Sequence, residues 1–436
     1  MRRTRLIVAL LGLLLVAGGT PAHATPDEGP LPGYTIDNPP LAPEIVGGTP
    51  SRVLQGVHKH AAYTIEVPPR WNGRLAMWAH GYRGTSTVLT VDPPAYGLRT
   101  RLLNQGYAWA ASSYHANAYD VRAGVTGTHD LAVKFGSLVG KPSKVFLAGV
   151  SMGGHITGRS LEQYPGFYAG ALPLCGVLGD HELFDFLLSY QLSAQALSGV
   201  RAYPLPPDYL STVVPRIQAE LGLAGLTPGG PDTTTDQGKR FRSVVVEQSG
   251  GPRPGDTAAF AHWKDFLFAL GASGGGDTLA GNPGRIATNL DTRYRNGDLD
   301  RIVRRVAPED WYSRLTPSLT EVPRIAGRPT APVLSLHSLG DLFVPYGMEQ
   351  DYHDDVVRNG RSRLLVQRAI RTVEHCEFAP SEVGAAWNDL VAWVDRGERP
   401  AGDDVHATGG ADYGCRFTDP AAYDLPGTRG LFPRCA

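Results

Sequence analysis

The 436-residue sequence has no excess charge of either sign. Its 41 Lys and Arg offset 42 Asp and Glu to a formal net charge of −1, which leaves no basic footprint for nucleic acid. Cysteine is scarce, at Cys175, Cys376, Cys415 and Cys435, so only three full pairings exist. Long hydrophobic runs are missing beyond the first two dozen residues, which excludes a later transmembrane helix. Zinc and calcium ligand patterns are missing too, so no metal and no cofactor is expected. The glycine run Gly274 to Gly276 lacks the Lys-Ser/Thr of a phosphate loop and reads as a flexible loop. What remains, with 42% hydrophobic and 19% charged residues, is a globular chain with no sign of disorder or fibre.

The amino terminus has the makeup of a secretory signal. Arg2, Arg3 and Arg5 precede an apolar run from Leu6 to Gly19 that is too short to span a bilayer. Ala22-His23-Ala24 is an A-x-A cleavage site, so residues 1–24 are expected to be removed and the protein exported. Removing three arginines shifts the formal charge from −1 to −1 − 3 = −4. No stable membrane insertion is expected after cleavage. Export makes disulfides permissible.

The chemistry is organised around Lys144 to Gly154, KVFLAGVSMGG. Val145 to Ala148 form a short apolar run of the kind buried on both faces of a parallel sheet. Gly149-Val150-Ser151-Met152-Gly153 follows at once, a G-x-S-x-G turn from strand to helix. Its glycines let the flanking backbones approach while Ser151 takes a strained conformation above the sheet. The amide of Met152 then opens a helix and is free to donate to an oxyanion.

Around this turn the chain alternates strand and helix. Strands are expected at Ala61 to Val67 (half exposed), Arg74 to Ala79, Tyr107 to Ser113 and Tyr168 to Leu174. Asn72-Gly73 reads as the hairpin signal between the first two. Helices are expected at Leu98 to Gln105 and Asp130 to Val139. The beat indicates an α/β fold with a mainly parallel, doubly wound sheet. It breaks over residues 176–329, where helix-like pieces (Asp185 to Leu197, Ala258 to Leu270) suggest a large, mostly helical cap insertion. The core thus divides into 25–175 and 330–399. The second part has strands at Ala331 to His337 and Arg363 to Ile370 and a final helix, Ser381 to Val394. Residues 400–436 form a tail, where a Cys415–Cys435 link would close a loop of about 20 residues, a staple of roughly 3 kcal/mol.

A serine needs a base against it and an acid to orient the base. Asp341 lies on the loop after the APVLSLH strand, in Ser338-Leu-Gly-Asp341-Leu-Phe-Val-Pro345. His375 lies on the loop after RLLVQRAI. Asp180, just past the strand that ends at Cys175, is a rival acid, and Glu374 should point away from His375. The order Ser151, Asp341, His375, with GVSMGG, HGY, GDLFVP and HCEF, resembles that of secreted bacterial α/β-hydrolases of the serine esterase and peptidase superfamily. The resemblance covers about residues 61–397 outside the cap. It implies an α/β-hydrolase fold, Ser151 as nucleophile, His375 as base and then acid, and Asp341 as the orienting carboxylate. It also implies an oxyanion hole from the amides of Tyr82, in His80-Gly81-Tyr82, and Met152. Cys175 and Cys376 should share the same sheet edge, where a bridge would brace the His375 loop. Tannase and feruloyl-esterase relatives brace that loop through a cysteine directly before the serine, a position that is Val150 here.

The other histidines have weaker claims. His58 and His60 read as solvated loop residues, His115 as a pocket-lining candidate, His155 as a packed helix residue and His337 as buried in the sheet. Of the cap aromatics Phe184, Phe186, Tyr190, Trp263, Phe266, Phe268, Trp311 and Tyr312, most should form the cap's own core. The expectation is a secreted serine hydrolase taking a small-molecule ester through an acyl-enzyme, with an amidase or peptidase using the same triad as the alternative. A catalytically silent binding protein would show the loss of a triad member, and none is missing. Nothing in the sequence bears on oligomeric state.

Overall fold

The computed structural model describes residues 29–271, 282–295 and 297–435. The expected signal segment, residues 1–24, and the Gly274 to Gly276 run lie outside them. The main sheet has eight strands: β1 (Arg52–His58), β2 (Ala61–Val67), β3 (Arg74–Ala79), β4 (Ala108–Ser112), β5 (Lys144–Val150), β6 (Gly170–Leu174), β7 (Val333–Ser338) and β8 (Leu365–Ile370). Their spatial order is β8-β7-β6-β5-β3-β4-β2-β1. The β1–β2 and β2–β4 pairs are antiparallel and the other five are parallel.

Period-two patterning sends alternate side chains to opposite layers. Along β5, Val145 and Leu147 join one hydrophobic cluster with helices α2 (Val121–Leu138) and α3 (Met152–Gln163). Phe146 and Ala148 join the other, with α1 (Leu98–Asn104) and α11 (Pro380–Arg396). The parallel strands therefore present near-continuous apolar runs, buried on both faces. Between β6 and β7 the chain forms α4 (Glu182–Ser198), α5 (Val214–Leu221), α6 (Asp236–Gln248), α7 (Asp256–Ala269), α8 (Leu299–Ile302) and α9 (Trp311–Leu315), and after β7 comes α10 (Gly347–Arg358). Phe184, Phe186, Tyr190, Trp263 and Phe268 are buried there, whereas Phe266, Trp311 and Tyr312 are exposed.

Three local expectations need correction. Asn72-Gly73 makes no hairpin, because β2 pairs with β1 and β4 while β3 pairs with β4 and β5. The real hairpin is β1–β2, turned by Lys59 (φ 47°) and His60 (φ 67°), two consecutive left-handed residues without glycine. β2 is buried throughout rather than half exposed. Its Glu66 is enclosed and accepts from Arg99 Nε at 2.7 Å and Trp109 Nε1 at 2.8 Å. Helix α2 begins at Val121 rather than Asp130, capped by the Asp120 carboxylate on the Ala123 amide at 2.8 Å. Its Gly124 obscures the helical pattern but is needed. A β-carbon there would sit 2.1 Å from Ile156 Cδ1 of α3.

No helix among the described residues is long and apolar enough to cross a membrane. The segment after α11 is well anchored, with Val405, Tyr413, Tyr423 and Phe432 buried and a Cys415–Cys435 disulfide.

Candidate active site

Five parallel pairs align the carboxyl ends of β3 to β8 along one edge of the sheet, and the candidate residues emerge there. Ser151 sits between β5 and α3 at φ 58° and ψ −120°. Such a conformation costs about 1–3 kcal/mol for a non-glycine residue and must be enforced by its surroundings. The enforcement is steric. A β-carbon on Gly149 would lie 2.1 Å from Gly153 O, and one on Gly153 would lie 2.1 Å from Ala79 O. One on Gly154 would lie 2.3 Å from Gly176 Cα. Only glycine lets β5, β3 and the loop after β6 approach the turn this closely.

His375 Nε2 lies 2.9 Å from Ser151 Oγ, and His375 Nδ1 lies 2.5 Å from Asp341 Oδ2. Asp341 is fully buried, and its Oδ1 accepts from the amides of Phe343 at 2.9 Å and Val344 at 3.0 Å. These bonds fix the carboxylate so that its second oxygen faces the imidazole. The serine, histidine and aspartate thus form one hydrogen-bonded chain, although β7 and β8 follow β5 by about two hundred residues. Glu374 does not meet the His375 ring: its Oε2 lies 3.0 Å from His262 Nε2 of α7, and its Oε1 accepts from the His375 amide at 3.1 Å.

Asp180 lies apart from the His375 ring. Its carboxylate is buried, accepting from the amides of His181 and of Ile325 at 2.7 Å. Burial pushes its pKa above the ordinary aspartate value. The geometry therefore pairs His375 with Asp341.

Met152 is the first residue of α3, so its amide belongs to the first turn, which has no intrahelical acceptor. The loop after β3 runs against the serine. A β-carbon on Gly81 would lie 3.1 Å from Ser151 Cβ and 3.0 Å from Val150 O. His80 anchors that loop, stacked on Tyr114 at 4.0 Å with its Nδ1 2.7 Å from Gly81 O. Burial pulls the His80 pKa down to about 3, so it is neutral. Tyr82 follows directly.

Cys175, just after β6, is bonded to Cys376, adjacent to the histidine. Three further groups support the site from outside it. His337 of β7 presents Nδ1 to Glu349 at 3.1 Å and Nε2 to Val344 O at 2.8 Å. Both ring nitrogens meet acceptors, which suits an imidazolium. Burial pulls its pKa down, but the Glu349 hydrogen bond and charge outweigh it and hold it above the ordinary value. Arg253 reaches in from the segment before α7 to donate to Leu339 O at 2.7 Å. Thr428, far along the tail, accepts from the amides of Val373 at 3.0 Å and Glu374 at 2.9 Å. An even apolar-to-polar pattern around β7 could have flagged His337. Arg253 and Thr428 had no signal at all.

The remaining histidines lie elsewhere. His58, His60 and His115 line a cleft of about 370 Å³ beside the β1–β2 hairpin. His155 is buried between Tyr119 Oη at 3.0 Å and Pro323 O at 2.7 Å.

The strand order, with two antiparallel strands leading into a parallel sheet and a strained serine between the fifth strand and a helix, defines the α/β-hydrolase fold. No protein-family model matches the chain. A curated relative, the o-phthalyl amidase of Xanthobacter agilis, is 23% identical over 432 residues, covering 80% of this chain and 92% of its own. Among solved structures, an esterase from Aspergillus oryzae is 15% identical, covering 82% of this chain and 84% of its own, with a TM-score of 0.45. Feruloyl esterase B from the same organism is 15% identical, with 79% of each chain covered and a TM-score of 0.44. An acylaminoacyl peptidase from Pyrococcus horikoshii is 11% identical over 81% of this chain, with a TM-score of 0.41. This chain spans 43% of that peptidase's length.

Proposed function

We propose that the protein is a serine hydrolase that transfers an acyl group from a small-molecule ester to water through an acyl-enzyme. The observation that carries this reading is the hydrogen-bonded chain from Asp341 through His375 to Ser151 at a strained turn. In the proposed mechanism, His375 Nε2 takes the Ser151 proton as Oγ attacks the carbonyl carbon. Asp341 holds the imidazole with Nε2 facing the serine and stabilises the imidazolium. The amides of Met152 and Tyr82 donate to the oxyanion, each worth about 3 kcal/mol in the transition state. His375 then protonates the leaving group, and water repeats the sequence to release the acid. Residues 176–329 act as a cap over the serine edge, and an amino-terminal signal directs export, where the two disulfides are stable.

A second reading keeps the machinery and changes the bond. The relative in Xanthobacter agilis is named for amide cleavage, which favours an amide substrate for this chain as well. The two share every step except the leaving group, which must be protonated more completely for an amine.

The test sets a p-nitrophenyl ester series beside aryl and aminoacyl amides, with wild type, Ser151→Ala and Asp341→Asn in parallel. Ester turnover should vanish in Ser151→Ala and fall about 10⁴-fold in Asp341→Asn, as loss of the orienting acid does elsewhere. Amide rates comparable with ester rates would move the assignment to an amidase. Turnover unchanged in Ser151→Ala would remove the serine mechanism.

A further inference from the structure

Between α10 and the tail, two imidazoles from separate elements converge on one carboxylate. His353 and Asp354 are consecutive on α10, and His406 belongs to the tail. His406 Nε2 lies 2.8 Å from Asp354 Oδ1, and His353 Nδ1 lies 3.3 Å from the same oxygen. The two rings stand 5.3 Å apart, nearly edge to face at 73°. One ligating atom from each residue lies within 4.8 Å of the other two. With metal–nitrogen and metal–oxygen bonds of about 2.0–2.1 Å, the edge of a tetrahedral site is roughly 3.3 Å. The His353–Asp354 separation of 3.3 Å already has that length, and the His406–Asp354 separation of 2.8 Å is shorter.

The backbone on either side is fixed before any ligand arrives. Val405 is buried, and its carbonyl accepts from Gln350 of α10 at 2.8 Å. Thr408 Oγ1 donates to Pro252 O at 2.9 Å, and the His406 amide donates to Asp404 at 3.0 Å. A site whose ligands are held by their supports loses little freedom on binding. The surroundings also favour a cation. Asp404 lies beside His406 and adds a carboxylate, while Arg358 is turned to Asp355.

We propose that His353, Asp354 and His406 bind one divalent transition-metal ion of the zinc type, tying the tail to α10. Two imidazoles and one carboxylate suit zinc, nickel, cobalt or copper rather than calcium or magnesium, which take oxygen ligands. Each imidazole would give the ion the lone pair of the ring nitrogen that faces Asp354. The remaining positions of the ion face solvent and hold water. This proposal is independent of the serine chemistry.

The test uses the untagged chain, stripped with EDTA and dialysed, titrated calorimetrically with zinc chloride at pH 7.5 and melted with and without the ion. One ion per chain and a higher Tm are expected. His353→Ala/His406→Ala should abolish both effects, and Asp354→Asn should weaken binding. Loss of an outer partner costs a metal site about 10–100-fold, so loss of a direct ligand should cost about 100-fold or more. His58→Ala/His60→Ala should change neither readout. All three ligands are partly exposed, so the fold should survive, and His406→Gln serves if the double variant melts early without metal. No saturable uptake by the wild type, or equal uptake by the variants, overturns the proposal.

Discussion

His155 shows what a buried titratable group does to this molecule. It is enclosed between Tyr119 and Pro323, and burial pulls its pKa down to about 3. His80 behaves the same way, and His181 is lowered to about 4. In the unfolded chain these imidazoles titrate near 6.5. Below that pH the unfolded state binds more protons, so their contribution is complete above about 6.5 and is lost as pH falls toward 3. Asp180 acts in the opposite sense. Burial raises it, so the folded state binds the extra proton and stability falls as pH climbs above the ordinary carboxylate range. Replacing His155 with Gln should shrink the stability lost between pH 7.5 and pH 5 by roughly 2 kcal/mol, read from urea unfolding at both pH values. An unchanged difference would show that His155 is not held neutral. At this scale the serine was legible because its strain needs glycines on both sides, and glycines are visible in a sequence. The neutral state of His155 was not, because it depends on residues 36 and 168 positions away.

Among the elements, the parallel strands do most of the assembly. Each delivers a loop to the same edge, and the loops after β5, β7 and β8 meet there. The Cys175–Cys376 bond closes a loop of 201 residues, worth about 5 kcal/mol in the chain-entropy model. Its more specific effect is on the loop bearing His375, which it fastens to the end of β6. Cys175→Ala/Cys376→Ala should lower kcat by about 100-fold, since misplacing a reacting group by about 1 Å costs that much. Steady-state kinetics beside a thermal melt separates this from simple loss of fold. If kcat of the folded variant is unchanged, the bond only stabilises. Short apolar runs made β3 to β8 readable. The β1–β2 hairpin was hidden because Lys59 and His60 carry its left-handed turn without glycine or asparagine. The start of α2 was hidden because Gly124 is there for packing against α3, not for helix formation.

For the whole molecule, the least readable part is the tail. Its apolar residues are few and widely spaced, so no periodicity announces that it packs. It nevertheless encloses Arg371, whose Nε donates to Tyr413 O at 2.8 Å, and pairs Arg429 with buried Glu382 at 2.7 Å. Through Thr428 it holds the backbone on which His375 stands. Thr428→Val would leave the amides of Val373 and Glu374 without their acceptor, at about 1–3 kcal/mol for the buried groups. The expected result is a roughly tenfold fall in kcat with a Tm only a few degrees lower, measured on the best ester substrate. Equal kcat in the variant would confine the tail to stability. Contacts of this kind join residues 55 and 54 apart, and only a folded chain reveals them.

The grip of Thr428 on the histidine loop also sets an order in time. During synthesis Ser151 emerges early and its strand can find neighbours long before Asp341 and His375 are made. Even after His375 has left the ribosome, about fifty more residues must follow before Thr428 can clasp its loop. A chain halted before Thr428 would therefore carry a His375 loop held by the Cys175–Cys376 bond alone, with the amides of Val373 and Glu374 still lacking their acceptor.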